Sequence, residues 1–390
     1  MQVITTTDAL ARTVAEYAAA PFAAIDTEFM RERTYWPQLC LVQMARPQGG
    51  DGESGDAVII DPLAQGIDLG PLFELMSNGK VVKVFHAARQ DVEIFHNLAG
   101  EIPAPLFDTQ VAAMVCGFGE QVSYETLVRR IAKADLDKSS RFTDWARRPL
   151  SGKQLDYALA DVTHLREIYV ALEERLRQTG RGHWVAEEMA ILTDPATYIN
   201  DPDEAWRRIK ARSHNPKFLA VVRALACWRE REAQRRDVPR SRVLKDDALI
   251  EVATAKPKAT GDLSKLRLLP RDSRKGEPAE GIVEAVAEGE ACPPDGRPTL
   301  PPPPQRRHGS AAVADMLKVF LKARADQLGV AAKLIASSAD LEALAGEQDP
   351  DLPLLKGWRR DVFGSDALRI VAGNVGLVAR PGGVELIEVG

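Results

Sequence analysis

An apolar run, Phe22 to Ile25, ends on Asp26-Thr27-Glu28, and this constrains the fold more than any other feature of the chain. Side chains two apart on a strand point to the same side of the sheet. The segment therefore sets two carboxylates side by side at the edge of an apolar core. No basic residue lies between them, and like carboxylates sharing a site drive one pKa sharply upward unless a cation compensates. A divalent metal is the simplest compensation, provided the chain brings further oxygen ligands to the same edge.

Two more segments offer them. The run Val81 to Phe85 reads as a strand that stops at His86, and residues 88–99 read as a helix with Val92 and Phe95 on its buried side. Asp91 falls in the first turn of that helix, near the strand end where open α/β sheets bind ligands. A third segment, Gln154 to Asp161, is helical by period, with Leu155, Ala158, Leu159 and Val162 as its apolar stripe. Tyr157 and Asp161 are four apart and share a face. Four carboxylates, with no Cys or His cluster at zinc spacing, favour Mg²⁺ or Mn²⁺ over Zn²⁺. Phosphoryl transfer is the usual chemistry of such sites. Taken singly, Asp91 is also read as an ordinary first-turn acid and Asp161 as a solvated surface acid.

These segments resemble the bacterial ribonuclease D family, 3′-to-5′ exoribonucleases of the tyrosine-bearing branch of the DEDD superfamily. Ile25-Asp26-Thr27-Glu28-Phe29, with Tyr35, Pro37, Gln38, Leu39, Leu41 and Gln43 following, matches the first family motif. Phe85-His86-Ala87-Ala88-Arg89-Gln90-Asp91 matches the second, and Tyr157-Ala158-Leu159-Ala160-Asp161 the third. Phe107-Asp108-Thr109-Gln110, Ser123 to Leu127, Leu136 to Ser139 and Thr143 to Leu150 add to the likeness, which is dense from about residue 20 to 170.

The resemblance implies two divalent cations per active site. Asp26, Glu28 and Asp161 would hold the one that carries the attacking water, and Asp26 and Asp91 the one that stabilises the leaving 3′ oxygen. Tyr157 would orient the water through its hydroxyl, since a tyrosine's ordinary pKa of about 10 makes it a poor base at neutral pH. It further implies release of nucleoside 5′-monophosphates, and RNA as partner, with tRNA precursors bearing a free 3′ hydroxyl foremost. His86 is read as structural or as a substrate contact, and Asp108 as a buried hydrogen-bonding residue. Lys138, Arg141 and Arg147 are read either as phosphate contacts or as solvated charge. Two rival functions remain: a DNA 3′-to-5′ exonuclease using the same carboxylates, and a non-catalytic RNA-binding scaffold.

The 390 residues, 45% apolar, suffice for two or three cores. Residues 1–182 alternate strand and helix, with strands expected at 22–28, 39–45, 57–61 and 81–85, and helices near 68–77, 88–99, 108–116, 123–131 and 152–179. Arg46 to Asp56 reads as a loose Gly- and Asp-rich connection. The expectation is a mixed sheet flanked by helices, the ribonuclease-H-like fold that the family uses. Residues 183–290 read as short helices at 183–192, 202–211, 216–236, 240–254 and 262–268. The stretch from about 202 to 285 resembles the helicase-and-ribonuclease-D C-terminal (HRDC) domain. A Pro-rich linker is expected at 291–309. Residues 310–390 resemble a second, degenerate HRDC module, with a terminal hairpin around Pro381-Gly382-Gly383.

The net charge of −5 alone argues against a nucleic-acid partner, but its distribution does not. Residues 200–275 hold 20 Lys and Arg against 11 Asp and Glu, a positive module suited to a phosphate backbone. Cys40, Cys116, Cys227 and Cys292 are scattered and suggest no disulfide framework. With no leader-like N-terminus and no long apolar run, the expectation is a cytoplasmic protein without a membrane partner.

Overall fold

The computed structural model describes residues 2–48, 57–137, 143–211, 213–300, 309–346 and 351–389. Lys138, Arg141, part of the Arg46–Asp56 connection and most of the Pro-rich linker lie outside them. The chain forms two compact units, one of residues 1–28, 40–197 and 302–390, the other of 29–39 and 198–301.

The first unit is built on β1 (Gln2–Ile4), α1 (Thr7–Ala18), β2 (Phe22–Met30), β3 (Gln38–Ala45), β4 (Ala57–Ile60), α2 (Gly70–Ser77), β5 (Val82–Phe85), α3 (Arg89–Ala99), β6 (Leu106–Asp108), α4 (Thr109–Val115), α5 (Tyr124–Leu127), α6 (Gly152–Thr179) and α7 (Gly182–Leu192). The strands form a mixed sheet in the order β1-β4-β3-β2-β5-β6. β5 runs parallel to both β2 and β6, while β3 and β4 are antiparallel. Parallel pairing brings the C-terminal ends of β2, β5 and β6 to one edge, where the apolar strands give way to Asp26, His86 and Asp108.

This is the expected mixed sheet with flanking helices. The expected elements recur within a few residues, and β1, α1 and β6 are additions. β1 and β6 are three residues each, too short for an alternating pattern to show. α1 buries Leu10, Val14 and Tyr17 behind a Thr6 cap.

α6 opens with a reciprocal cap. Ser151 Oγ accepts from Gln154 N, and Gln154 Oε1 accepts from Ser151 N at 2.9 Å. The helix buries Ala158, Val162, Leu165, Ile168, Leu172 and Leu176 in turn, which fixes its rotation and so the direction of Tyr157 and Asp161. Val162 and Leu165 pack with Phe22, Ala24 and Val84 of the sheet.

The C-terminal part of this unit comprises α12 (Ser310–Leu328), two short helices α13 (Ala332–Ile335) and α14 (Ser338–Gly346), then α15 (Gly357–Arg359) and α16 (Ser365–Val371), and an antiparallel hairpin of β7 (Val375–Arg380) and β8 (Gly383–Glu388). The hairpin turns at the Pro-Gly-Gly sequence, as its pattern indicates. Trp358 is 1% exposed, stacks on Trp184 with centroids 4.5 Å apart, and donates its indole N–H to Glu188. Arg359 adds an ion pair to the same carboxylate at 2.7 Å.

The second unit is helical: α8 (Pro216–Arg236), α9 (Arg240–Val243), α10 (Asp246–Ala255) and α11 (Gly276–Ala291), with 3-10 turns at Pro202–Arg208 and Thr260–Lys265. Its core is Leu219, Val222, Leu225, Leu249, Val252 and Ile282 with their neighbours. The break between α9 and α10 divides what the periodicity presents as one helix, and α11 is an addition to the expected set. Within this unit Tyr35 donates its hydroxyl to the buried Glu230 at 2.5 Å, and Asp237 accepts the backbone N–H of Tyr35 and Trp36 at 2.9 Å each.

Candidate active site

The edge reached by β2, β5 and α6 encloses a cleft of about 360 Å³, whose lining includes Asp26, Glu28, His86, Ser123, Tyr124, Tyr157 and Asp161. One carboxylate oxygen from each of Asp26, Glu28 and Asp161 lies within 4.8 Å of the others. β2 sets the first two on one face, and the rotation of α6 delivers the third. Asp91 is 7% exposed and accepts a 2.5 Å hydrogen bond from Thr27 Oγ1. It stands beside the trio and raises the pKa of Glu28, while Asp26 raises its own.

The electrostatics are those of acids crowded away from water. Burial first, then the Asp161 charge, pushes Asp26 well above the usual carboxylate range. Burial, then Asp26, Asp161 and Asp91, pushes Glu28 up to about 9. Burial, then the Asp26 charge, raises Asp91 well above the usual carboxylate range. The donor set is all carboxylate oxygen, which suits a hard divalent cation and not zinc. These residues fit such an ion, and its charge is what would let all of them ionise together.

Tyr157 lines the cleft one turn before Asp161, its ring 6.1 Å from that of the buried Trp145. The loop carrying Trp145 is held by Arg148, which forks onto Asp61 with two bonds of 2.7 Å and donates to the Trp145 and Cys40 carbonyls. Arg147 is exposed.

His86 lines the cleft, its Nδ1 3.0 Å from Thr109 Oγ1. Thr109 Oγ1 also donates to the Phe85 carbonyl at 3.0 Å. Asp108 is the buried hydrogen-bonding residue that its apolar context suggests. It caps α4 and accepts the backbone N–H of Ala87 and Ala88 at 3.0 and 2.8 Å. Two contributors were not singled out from sequence. Thr27 reaches Asp91, and Tyr124 donates its hydroxyl to the Ala160 carbonyl at 3.0 Å, bracing the turn of α6 that bears Asp161. A polar residue between the two acids of β2 and an aromatic inside a family-like segment were the available signals.

Residues 1–177 match the family model described as 3′-5′ exonuclease, and residues 218–286 match the HRDC domain. The ribonuclease D of Jannaschia sp. is 57% identical over 386 residues, 99% of each chain. The chain belongs to the ribonuclease D family. The ribonuclease D of Nitrobacter hamburgensis is 48% identical over the full length of both chains. The crystal structure of Escherichia coli RNase D, described as an exoribonuclease involved in structured RNA processing, superposes with a TM-score of 0.82 at 30% identity, covering 95% of this chain and 98% of that one. The catalytic core of RRP6 from Trypanosoma brucei shares the fold, with a TM-score of 0.54 at 22% identity over 74% of this chain and 79% of that one. As a ribonuclease D family member the chain is a hydrolase of the exoribonuclease type, built on the exonuclease sheet with an HRDC module. Among the described residues no helix is long and apolar enough to cross a membrane.

Proposed function

We propose that the Asp26, Glu28, Asp91 and Asp161 cluster holds two divalent cations, Mg²⁺ or Mn²⁺, and that the enzyme uses them to remove nucleotides singly from the 3′ end of RNA. The observation that carries this is the convergence of Asp26, Glu28 and Asp161 oxygens within 4.8 Å, at carboxylates raised by burial and by one another. Such a cluster destabilises a fold unless its charge serves a ligand.

Divalent cations in such a site supply Lewis acidity, lowering the pKa of a water and offsetting charge on the leaving oxygen. Asp26, Glu28 and Asp161 would hold the cation on the water side, and Asp26 with Asp91 the one on the leaving-group side. Tyr157 orients the nucleophilic water through its hydroxyl, an effect of position and not of basicity. Tyr124 keeps the Asp161 turn of α6 in place through Ala160. The His86 and Tyr124 rings, 5.5 Å apart, form a wall of the cleft against which a terminal nucleotide rests.

Precursors of tRNA and other structured RNAs are the proposed substrates. The likeness to Escherichia coli RNase D, an exoribonuclease involved in structured RNA processing, supports this, as does the surplus of Lys and Arg over residues 200–275. The test is incubation with 3′-extended tRNA and with a matched single-stranded DNA, in Mg²⁺, in Mn²⁺ and in chelator, beside Asp26→Asn. Cation-dependent release of 5′-monophosphates from the RNA, lost in the variant, is expected. Release chiefly from DNA would move the enzyme to DNA ends, and release from neither would leave an RNA-binding scaffold.

A further inference from the structure

Three of the four acids are placed directly by β2 and by the long, well-packed α6. Asp91 is placed differently. It sits in the first turn of α3, whose entry is the His86-Ala87-Ala88 turn, and Ala87 adopts φ +60°. A residue with a Cβ rarely occupies the left-handed region, so something must hold the turn.

Asp108 does so, from the end of the neighbouring strand. Its Oδ1 accepts from Ala87 N at 3.0 Å and its Oδ2 from Ala88 N at 2.8 Å, while Oδ1 also takes Gln110 N at 2.7 Å to cap α4. Asp108 is 3% exposed, so these bonds do not compete with water. Ala88 is itself the cap residue of α3 and offers no side-chain cap. Asp108 therefore supplies from across the sheet the anchoring that α3 lacks in its own sequence. Thr27 holds Asp91 from the other side, at 2.5 Å.

We propose that Asp108 is a positioning residue for Asp91: by clamping the left-handed turn at Ala87 it fixes the entry of α3, and so the aim of the one ligand that β2 and α6 do not supply. The proposal rests on the cation reading of the site. Its consequence is that the two cation positions are separately tunable, because the Asp108 clamp acts on the position that uses Asp91 and leaves the Glu28 and Asp161 pair untouched.

Asp108→Asn is a narrow probe. Asparagine keeps a carbonyl oxygen for Ala87 and for the α4 cap, where it is itself a favoured residue, but turns an amide N–H toward Ala88 N–H. Ala87→Val strains the same turn from the opposite side, since a β-branched residue is worse still at positive φ, and Ala87 is exposed enough to take the bulk. Ala87→Gly favours the turn, because glycine carries no penalty there.

The experiment is a calorimetric titration of the full-length protein with Mn²⁺, with no RNA present, and a thermal melt of each variant. Wild type is expected to bind in two events. Asp108→Asn and Ala87→Val should each weaken one event by about 10- to 100-fold, the range for residues that orient a metal ligand, and the other by less than about 3-fold. The double variant Asp108→Asn with Ala87→Gly should recover most of the lost affinity, which a loss of the Asp108 charge alone would not permit. Two unchanged events in both single variants would overturn the proposal while leaving the cation reading intact, as would equal weakening of both events without recovery in the double variant. No binding by wild type would overturn the cation reading and this proposal with it. Should Asp108→Asn fail to fold, Ala87→Val decides.

Discussion

Asp26→Asn should make the cation-free protein more stable while abolishing its activity. The carboxylate oxygens of Asp26, Glu28 and Asp161 lie within 4.8 Å, and two full charges at that distance repel by about 3.5 kcal/mol at an effective dielectric of 20. The cation-free protein escapes part of this by holding protons on the cluster, with Glu28 pushed up to about 9 against an ordinary 4.5 and Asp26 raised well above its own range. A carboxylate raised in this way stabilises the fold fully below its unfolded pKa and loses that contribution as pH climbs through the folded value. The window therefore runs from about 4.5 to about 9. Removing the Asp26 charge lets Glu28 ionise more easily, so the variant's advantage should be near zero at pH 5 and grow toward pH 8.5. After discounting for partial protonation and for the half-buried setting, an advantage of about 1–3 kcal/mol is expected there, or roughly 3–8 °C in the melt of the exonuclease unit. The assay is a thermal melt in chelator at pH 5, 7 and 8.5. Saturating Mn²⁺ should invert the order, because wild type alone gains binding free energy, about 2.7 kcal/mol at a hundredfold excess over Kd. A variant no more stable than wild type at pH 8.5, or one whose advantage is as large at pH 5, would show that repulsion within the cluster does not limit the fold.

Tyr157→Phe should lower kcat by about 10- to 100-fold while leaving Mn²⁺ binding unchanged, as steady-state kinetics beside calorimetry would show. Arg148→Ala strands Asp61, whose side chain is only 12% exposed. It should lower stability by about 2–3 kcal/mol in chemical denaturation, at the low end for a broken ion pair because the site is partly solvated. Trp358→Ala removes the ring stacked on Trp184 and the bond to Glu188. A loss of about 3–5 kcal/mol should appear as earlier release of residues 302–390 in limited proteolysis.

Where one element carries both an apolar pattern and a charge that breaks it, the sequence is transparent. β2 shows its strand in Phe22 to Ile25 and its site in Asp26 and Glu28, and α6 shows a buried stripe with Tyr157 and Asp161 beside it. The second unit is less legible because tertiary packing overrides propensity. α11 carries Gly276, Gly281 and Gly289, which weaken a helix. Yet a Cβ at Gly281 would sit 2.2 Å from Trp228 Nε1, and one at Gly289 would sit 2.5 Å from Val221 Cα. Those glycines let α8 approach, and only the packed partner reveals the reason. What holds Asp91 in place is opaque for a related cause. Its supports, Thr27 and Asp108, lie 64 and 17 residues away in the chain and act through hydrogen bonds that no periodicity records.

A two-cation centre on these four carboxylates would be visible in anomalous diffraction from crystals of the protein grown with Mn²⁺ and a short RNA ending in a 3′ hydroxyl. Two peaks are expected, one among Asp26, Glu28 and Asp161 and one between Asp26 and Asp91, about 3.5–4 Å apart. Absence of manganese from these carboxylates under conditions in which the enzyme degrades that RNA would contradict such a centre.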